Sequence, residues 1–175
     1  MGNNIVLIGM PGSGKSTCGV LAAKALCMDF ADTDLVIQAR EGKKLQEIID
    51  SDGNDYFETA EENALLETGF ENTVIATGGS AVYSERGMTH LRENGRVIWL
   101  KIGLKEMLDR IKNMKTRGIL LKNGETIEDM FREREALYEK YADVIIDCNN
   151  STIEETVAKI CGAGGQGSAA ISSER

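Results

Sequence analysis

Five short, mostly apolar runs punctuate the chain: Asn4 to Gly9, Met28 to Ala31, Asn72 to Ala76, Arg96 to Leu100 and Asp143 to Asp147. Apolar runs of this length, without polar alternation, suit strands buried on both faces of a parallel sheet. Between them the spacing becomes helical. Lys15 to Leu26 has Val20, Ala23, Leu26 and Cys27 as its predicted inward face, and Leu35 to Glu41 follows. Leu45, Ile48 and Ile49 mark a further helical turn, and Tyr56 to Leu66 reads as a helix with Phe57, Ala60 and Ala64 inward. Later helices are predicted over Leu104 to Ile111, Thr126 to Tyr141 and Ile153 to Ile160. The segment 112–125 is polar with two glycines, and the tail 162–175, rich in Gly, Ser and Ala, is expected to be flexible. Strands alternating with helices predict a three-layer α/β/α sandwich on a five-stranded parallel sheet, as one domain over residues 1–161.

Composition narrows the chemistry. With 175 residues, 42% apolar and 27% charged, the chain has the material for one globular domain with a real core. A net charge of −8 opposes a nucleic-acid or anionic-membrane surface as main partner. No apolar run reaches membrane-spanning length, and MGNNIVLIGMPG lacks the basic start of a signal peptide, so a cytoplasmic location is expected. Val6 stands where a myristoylation motif needs Ser or Thr. Cys18, Cys27, Cys148 and Cys161 are scattered and read as reduced packing thiols. With His90 as the only histidine, chemistry must rest on carboxylates, cations and backbone amides.

Gly9-Met-Pro-Gly-Ser-Gly-Lys-Ser-Thr17 matches G-x-x-x-x-G-K-[ST] between a predicted strand and a predicted helix. Glycines let the backbone curl until its N–H groups converge on phosphate oxygens, and the positive end of the following helix adds to the anion site. Gly12, Ser13, Gly14, Lys15, Ser16 and Thr17 are therefore the candidate ATP-binding residues. Lys15 would reach the β- and γ-phosphates, and the Ser16 hydroxyl would ligate Mg²⁺. A GTPase-type switch should carry Asn-Lys-x-Asp, and no asparagine here precedes a lysine. A transport or motor ATPase would be larger, so small size favours a small-molecule kinase over both.

Asp32-Thr-Asp34 follows the second strand, where an extended strand end aims two carboxylates toward the phosphate crevice. One can serve Mg²⁺ and the other a substrate hydroxyl; the plain alternative is that they cap the next helix. Together with GMPGSGKST, Gly78-Gly79 and Arg117-Gly-Ile-Leu120, this pair resembles the shikimate kinase family to about Asp147. The resemblance implies a nucleoside-monophosphate-kinase-like fold with a lid near 112–125, substrate-binding helices within 33–66, and transfer of the ATP γ-phosphoryl to a hydroxyl of shikimate. It implies Ser16 and Asp32 as magnesium residues and Asp34 as the group that orients or deprotonates the accepting hydroxyl. Gly78 and Gly79 resemble the substrate-side glycine turn, with Ser80 at its usual third glycine. Arg117 resembles the lid arginine on the transferring phosphate, with Gly118 where a proline is usual; Arg110 resembles a residue stacked on adenine, and Arg134 one that pairs with the substrate carboxylate. The plain alternative for Arg110, Arg117 and Arg134 is surface ion pairing, and the Glu/Arg run 132–135 reads mainly as a solvated face. The expected partner is a small-molecule substrate, with no nucleic acid, no membrane and a monomeric chain.

At one place the chain departs from the pattern. The family reads Phe-Arg-x-x-Glu in its substrate region, whereas this chain reads Phe57-Glu-Thr-Ala-Glu61, so that Glu58 occupies the place of an arginine that clamps the substrate carboxylate. A glutamate there repels a carboxylate unless another cation compensates, with Arg134, Arg40 and Arg132 as candidates. The local alternative is a capping-box variant with Asp55 as N-cap and Glu58 reaching back. Two further readings follow: a related kinase acting on another hydroxyl substrate, and a non-catalytic ATP-binding regulatory domain.

Overall fold

The computed structural model describes residues 2–67, 69–112, 120–122 and 124–164; Arg117 and residues 165–175 lie outside them. Five strands, β1 (Asn4–Ile8), β2 (Asp29–Asp32), β3 (Thr73–Ala76), β4 (Gly95–Lys101) and β5 (Val144–Asp147), form one all-parallel sheet in the order β2-β3-β1-β4-β5. All of β1 and β3 is buried, which is why these runs are apolar at every position or nearly so. Among the described residues eight α-helices accompany the sheet, α1 (Lys15–Leu26), α2 (Thr33–Glu41), α3 (Leu45–Asp52), α4 (Asn54–Leu66), α5 (Glu85–Asn94), α6 (Leu104–Lys112), α7 (Ile127–Tyr141) and α8 (Ile153–Gly164), with a short 3-10 turn at Ala81–Tyr83. Among the described residues no helix is long and apolar enough to cross a membrane.

The main core packs the sheet against its helices, while Ile37, Leu45, Ile48, Phe57, Ala64 and Leu120 form a smaller core under α2, α3 and α4. Parallel strands place every strand-to-helix connection at one edge. Register sets Leu7 and Asp32 on either side of Ala76, so the connections after β1, β2 and β3 emerge side by side. The Thr77 hydroxyl donates to the Leu7 carbonyl (3.0 Å), and the Gly78 amide donates to the Thr33 hydroxyl (3.1 Å), tying these connections together.

Four local expectations differ from the structure. On α1 the buried face is Cys18, Gly19, Ala22 and Ala23, while Val20 and Cys27 are exposed. The small residues let the helix approach the sheet; a Cβ on Gly19 would lie 2.9 Å from the Phe30 ring and 3.1 Å from Leu7. Helix α5 has no counterpart among the predicted elements, because only Gly87, Met88 and Leu91 of its ten residues face the core. Gly162 to Gly164 belong to α8 rather than to a flexible tail, with the Ala163 carbonyl accepting from Arg96 Nη1 (2.8 Å). Helix α4 starts one residue before Asp55, with Gly53 as N-cap and no side-chain cap bond, so the Asp55–Glu58 capping box does not form.

Candidate active site

The phosphate loop leaves β1, the central strand, and runs into α1. Gly12 (φ 78) and Gly14 (φ 96) adopt left-handed backbone that other residues reach only at a cost, and this turns the loop back on itself. Lys15 is buried and folds across the loop, its Nζ donating to the carbonyls of Gly9 (2.7 Å) and Met10 (3.0 Å). The Ser13 hydroxyl is buried without a hydrogen-bond partner, a polar atom aimed at something the protein itself does not supply. Ser16 opens the second position of α1 and is half-buried, while Thr17 is exposed.

Arg110, on α6, bridges to this loop: its Nη1 donates to the Gly12 carbonyl (2.9 Å) and its Nη2 pairs with Glu106. A cleft of about 240 Å³ runs from Ser13, Gly14 and Thr17 past Arg110 to Cys148 and Thr152 at the β5–α8 connection. Burial raises the Cys18 and Cys148 thiols above the ordinary range, which keeps them in the unreactive form.

The other wall is built from carboxylates and one guanidinium. Asp32 is the N-cap of α2 and accepts from the Asp34 amide (3.0 Å), so the capping alternative holds for Asp32 itself. That bond turns the chain so that Asp34 reaches the Gly78 turn: a Cβ on Gly78 would lie 2.8 Å from Asp34 Oδ1 and collide with Glu61 Oε1. A Cβ on Gly79 would meet Arg134 Nη1 and Pro11 Cδ at 3.1 Å. The missing Cβ at Gly78 and Gly79 lets these groups converge without displacing one another.

Arg134 is 1% exposed, which corrects the solvated-face reading for this residue. Its Nη2 donates to the Leu120 carbonyl (2.8 Å), and its guanidinium lies 5.3 Å from the Tyr83 ring centroid. Arg132 is exposed and Arg40 pairs with Glu67 (2.8 Å), so Arg134 is the cation that reaches the Gly79 turn. Glu58 is exposed, yet its charge is felt at Glu61.

Glu61 and Tyr138 were absent from the sequence-predicted site. Glu61 is 3% exposed, with Oε1 lacking a hydrogen-bond partner. Burial above all pushes its carboxyl up to about 7, with Asp34 and Glu58 adding repulsion and the Ser80 hydroxyl and Arg134 partly offsetting. The fully buried Tyr138 hydroxyl donates to the Gly79 carbonyl (2.6 Å) and fixes the glycine turn. Glu61 was visible in principle. Phe57, Glu61, Ala64 and Leu65 fall at i, i+4, i+7 and i+8, which places Glu61 on the apolar stripe of α4.

The phosphate loop, Asp34, the glycine turn and the buried Arg134 come together at one edge of the sheet. The shikimate kinase family model matches residues 11–163. The chain belongs to the shikimate kinase family. Curated shikimate kinases from Sulfurihydrogenibium sp. (strain YO3AOP1) and Clostridium botulinum (strain Eklund 17B / Type B) are 36% and 39% identical to it. These alignments cover 90% and 91% of this chain and 97% and 96% of the relatives. A solved shikimate kinase from Acinetobacter baumannii in complex with shikimate gives a TM-score of 0.86 at 30% identity, covering 95% of this chain and 94% of the other. The shikimate kinase structure from Aquifex aeolicus gives 0.80 at 33% identity, covering 94% and 96%. A gluconokinase from Sinorhizobium meliloti, 17% identical with a TM-score of 0.52, shares the fold alone.

Proposed function

We propose that this chain transfers the γ-phosphoryl of ATP to a hydroxyl of shikimate, forming shikimate 3-phosphate and ADP, as a monomer in the cytoplasm. The observation that carries the reading is the convergence of Asp34, Gly78, Gly79 and the buried Arg134 beside the phosphate loop. Phosphoryl transfer needs positioning and cations on developing charge, and these residues supply both.

Arg134 pairs with the substrate carboxylate, supported by its burial and by the second nitrogen that faces the Gly79 turn. Asp34 orients the accepting hydroxyl and takes its proton as the new O–P bond forms and the bond to the β-phosphate oxygen breaks. Lys15 moves from the Gly9 and Met10 carbonyls onto the phosphates, where its charge is better matched. The Ser13 hydroxyl finds its missing partner there. Ser16 and Asp32 are hard oxygen donors suited to Mg²⁺, which would neutralise phosphate charge. Arg110 borders the cleft assigned to the nucleoside, Glu58 lies at the rim of the substrate wall, and Arg117, outside the described residues, is assigned to the transferring phosphate. Exposure keeps Glu58 screened by water, so its reversed charge weakens substrate binding far less than a buried one would.

ADP release measured with shikimate, gluconate, homoserine and other hydroxyl compounds tests the assignment. Shikimate is expected to stimulate most, Glu58→Arg to bring little gain, and Lys15→Met and Asp34→Asn each to abolish turnover. Preferred turnover of another compound would replace shikimate as substrate, and stimulation by none would favour an ATP-binding regulatory domain. Substantial activity in Asp34→Asn would remove its assigned role.

A further inference from the structure

The charges that meet at the substrate wall do not balance. Asp34 Oδ1, from α2, and Glu61 Oε1, from α4, crowd the same space above Gly78. Glu58, on Glu61's own helix, adds a third carboxylate whose repulsion reaches Glu61. Helix α7 contributes Arg134 and the neutral Tyr138, and the turn after β3 contributes the Ser80 hydroxyl. Arg134 is the one cation among these groups, and it is already engaged with the Leu120 carbonyl and the Tyr83 ring.

A carboxylate-bearing substrate brings one more negative charge into this space. Asp34 must be ionised to take the proton of the accepting hydroxyl, and Glu58 is solvated at the surface. Glu61 is the group left to yield. It is buried, its Oε1 is unpartnered, and as a neutral acid it has an O–H to offer where an ionised one has only repulsion.

We propose that Glu61 enters the substrate complex as a neutral carboxylic acid, so that this site takes up a proton from solvent together with its anionic substrate. The inference rests on the shikimate reading above. Glu61 thereby offsets the charge reversal at Glu58, which makes it a specificity-determining residue. Its carboxyl is already poised near neutrality in the free protein, with a value of about 7. Below that value the proton is present before binding; above it, binding must draw the proton in, and affinity falls with rising pH.

Isothermal titration of shikimate into the full chain, in buffers of different ionisation enthalpy, counts the protons. Uptake of about 0.9 proton per shikimate is expected at pH 8 and about 0.1 at pH 6, with Kd about tenfold weaker at pH 8. In Glu61→Gln, ADP binding serves as the check on folding, and both the uptake and the pH dependence of the shikimate Kd between 6 and 8 disappear. Tight shikimate binding at pH 8 without proton uptake overturns the proposal while leaving the substrate assignment standing. So does a Glu61→Gln variant that keeps the wild-type pH dependence. Absence of shikimate binding at every pH, with ADP binding intact, overturns the substrate assignment and the proton coupling with it.

Discussion

Three glutamates of α4, Glu58, Glu61 and Glu62, fall at i, i+3 and i+4 and yet meet three environments. Glu58 is exposed; Glu62 accepts from the Ser84 hydroxyl (2.7 Å) and pairs with Arg86 (2.9 Å); Glu61 is sealed inside. Sequence neighbours this similar are separated only by helical phase, because the boundary between core and solvent runs between them. The consequence for Glu61 is a stability that depends on pH. Its carboxyl sits near 7 folded against an ordinary 4.5, so between those values the folded chain holds a proton that the unfolded chain releases. The stabilising contribution is complete below about pH 4.5 and is lost as pH rises through about 7, a difference of about 3 kcal/mol. Glu61→Gln removes this titration. Its stability relative to wild type, measured by denaturant unfolding, is therefore expected to improve by about 3 kcal/mol between pH 4 and pH 8. A constant difference across that range would mean that Glu61 titrates normally.

At the scale of elements, what matters is how the helices beside the site begin. α2 is capped by Asp32, α5 by Ser84, whose hydroxyl accepts from the Gly87 amide (2.9 Å), and α7 by a Thr126–Asp129 capping box. Ser84 also donates to Glu62, so a single hydroxyl joins the start of α5 to α4. Ser84→Ala is expected to cost about 1 kcal/mol as a lost cap, and somewhat more because Glu62 loses a donor. Urea unfolding should show this as a lower midpoint with an unchanged slope. The central strands β1, β3 and β4 were legible because parallel strands buried on both faces are apolar nearly throughout, whereas the edge strands β2 and β5, only partly buried, showed only as short apolar runs. α5 was not legible, since a helix that buries three of its ten residues leaves a weak pattern. The burial of Arg134 escaped for a related reason, although likeness to the family had marked the residue. It continues the stripe of Met130, Phe131, Tyr138 and Tyr141 on α7, but a charge in a charged run looks solvated until its partners are known.

For the whole molecule, a chain of net charge −8 brings its phosphate-loop amides, Lys15 and Arg134 to one edge of the sheet, beside the carboxylates of Asp34 and Glu61. Because both walls of the site belong to the folded state alone, ligands must stabilise the fold. ADP with Mg²⁺ at a hundred times its Kd should add about 2.7 kcal/mol, read as a higher Tm. The shift should shrink when EDTA removes the metal and largely vanish in Lys15→Met. A full shift without metal would detach Ser16 and Asp32 from magnesium.

Sequence by itself determined the sheet, its parallel sense and the phosphate loop, because each follows from local periodicity or from a backbone motif complete within nine residues. It also marked Asp34, Gly78, Gly79 and Arg134 as candidates, through their place after strands and their likeness to a family pattern. Only the tertiary structure decided that Asp34, Glu61 and Arg134 share one wall and that Tyr138 fixes the glycine turn. These are matters of which surfaces meet. Burial and the electrostatics that follow from it arise between elements far apart in the chain, and no local pattern carries them.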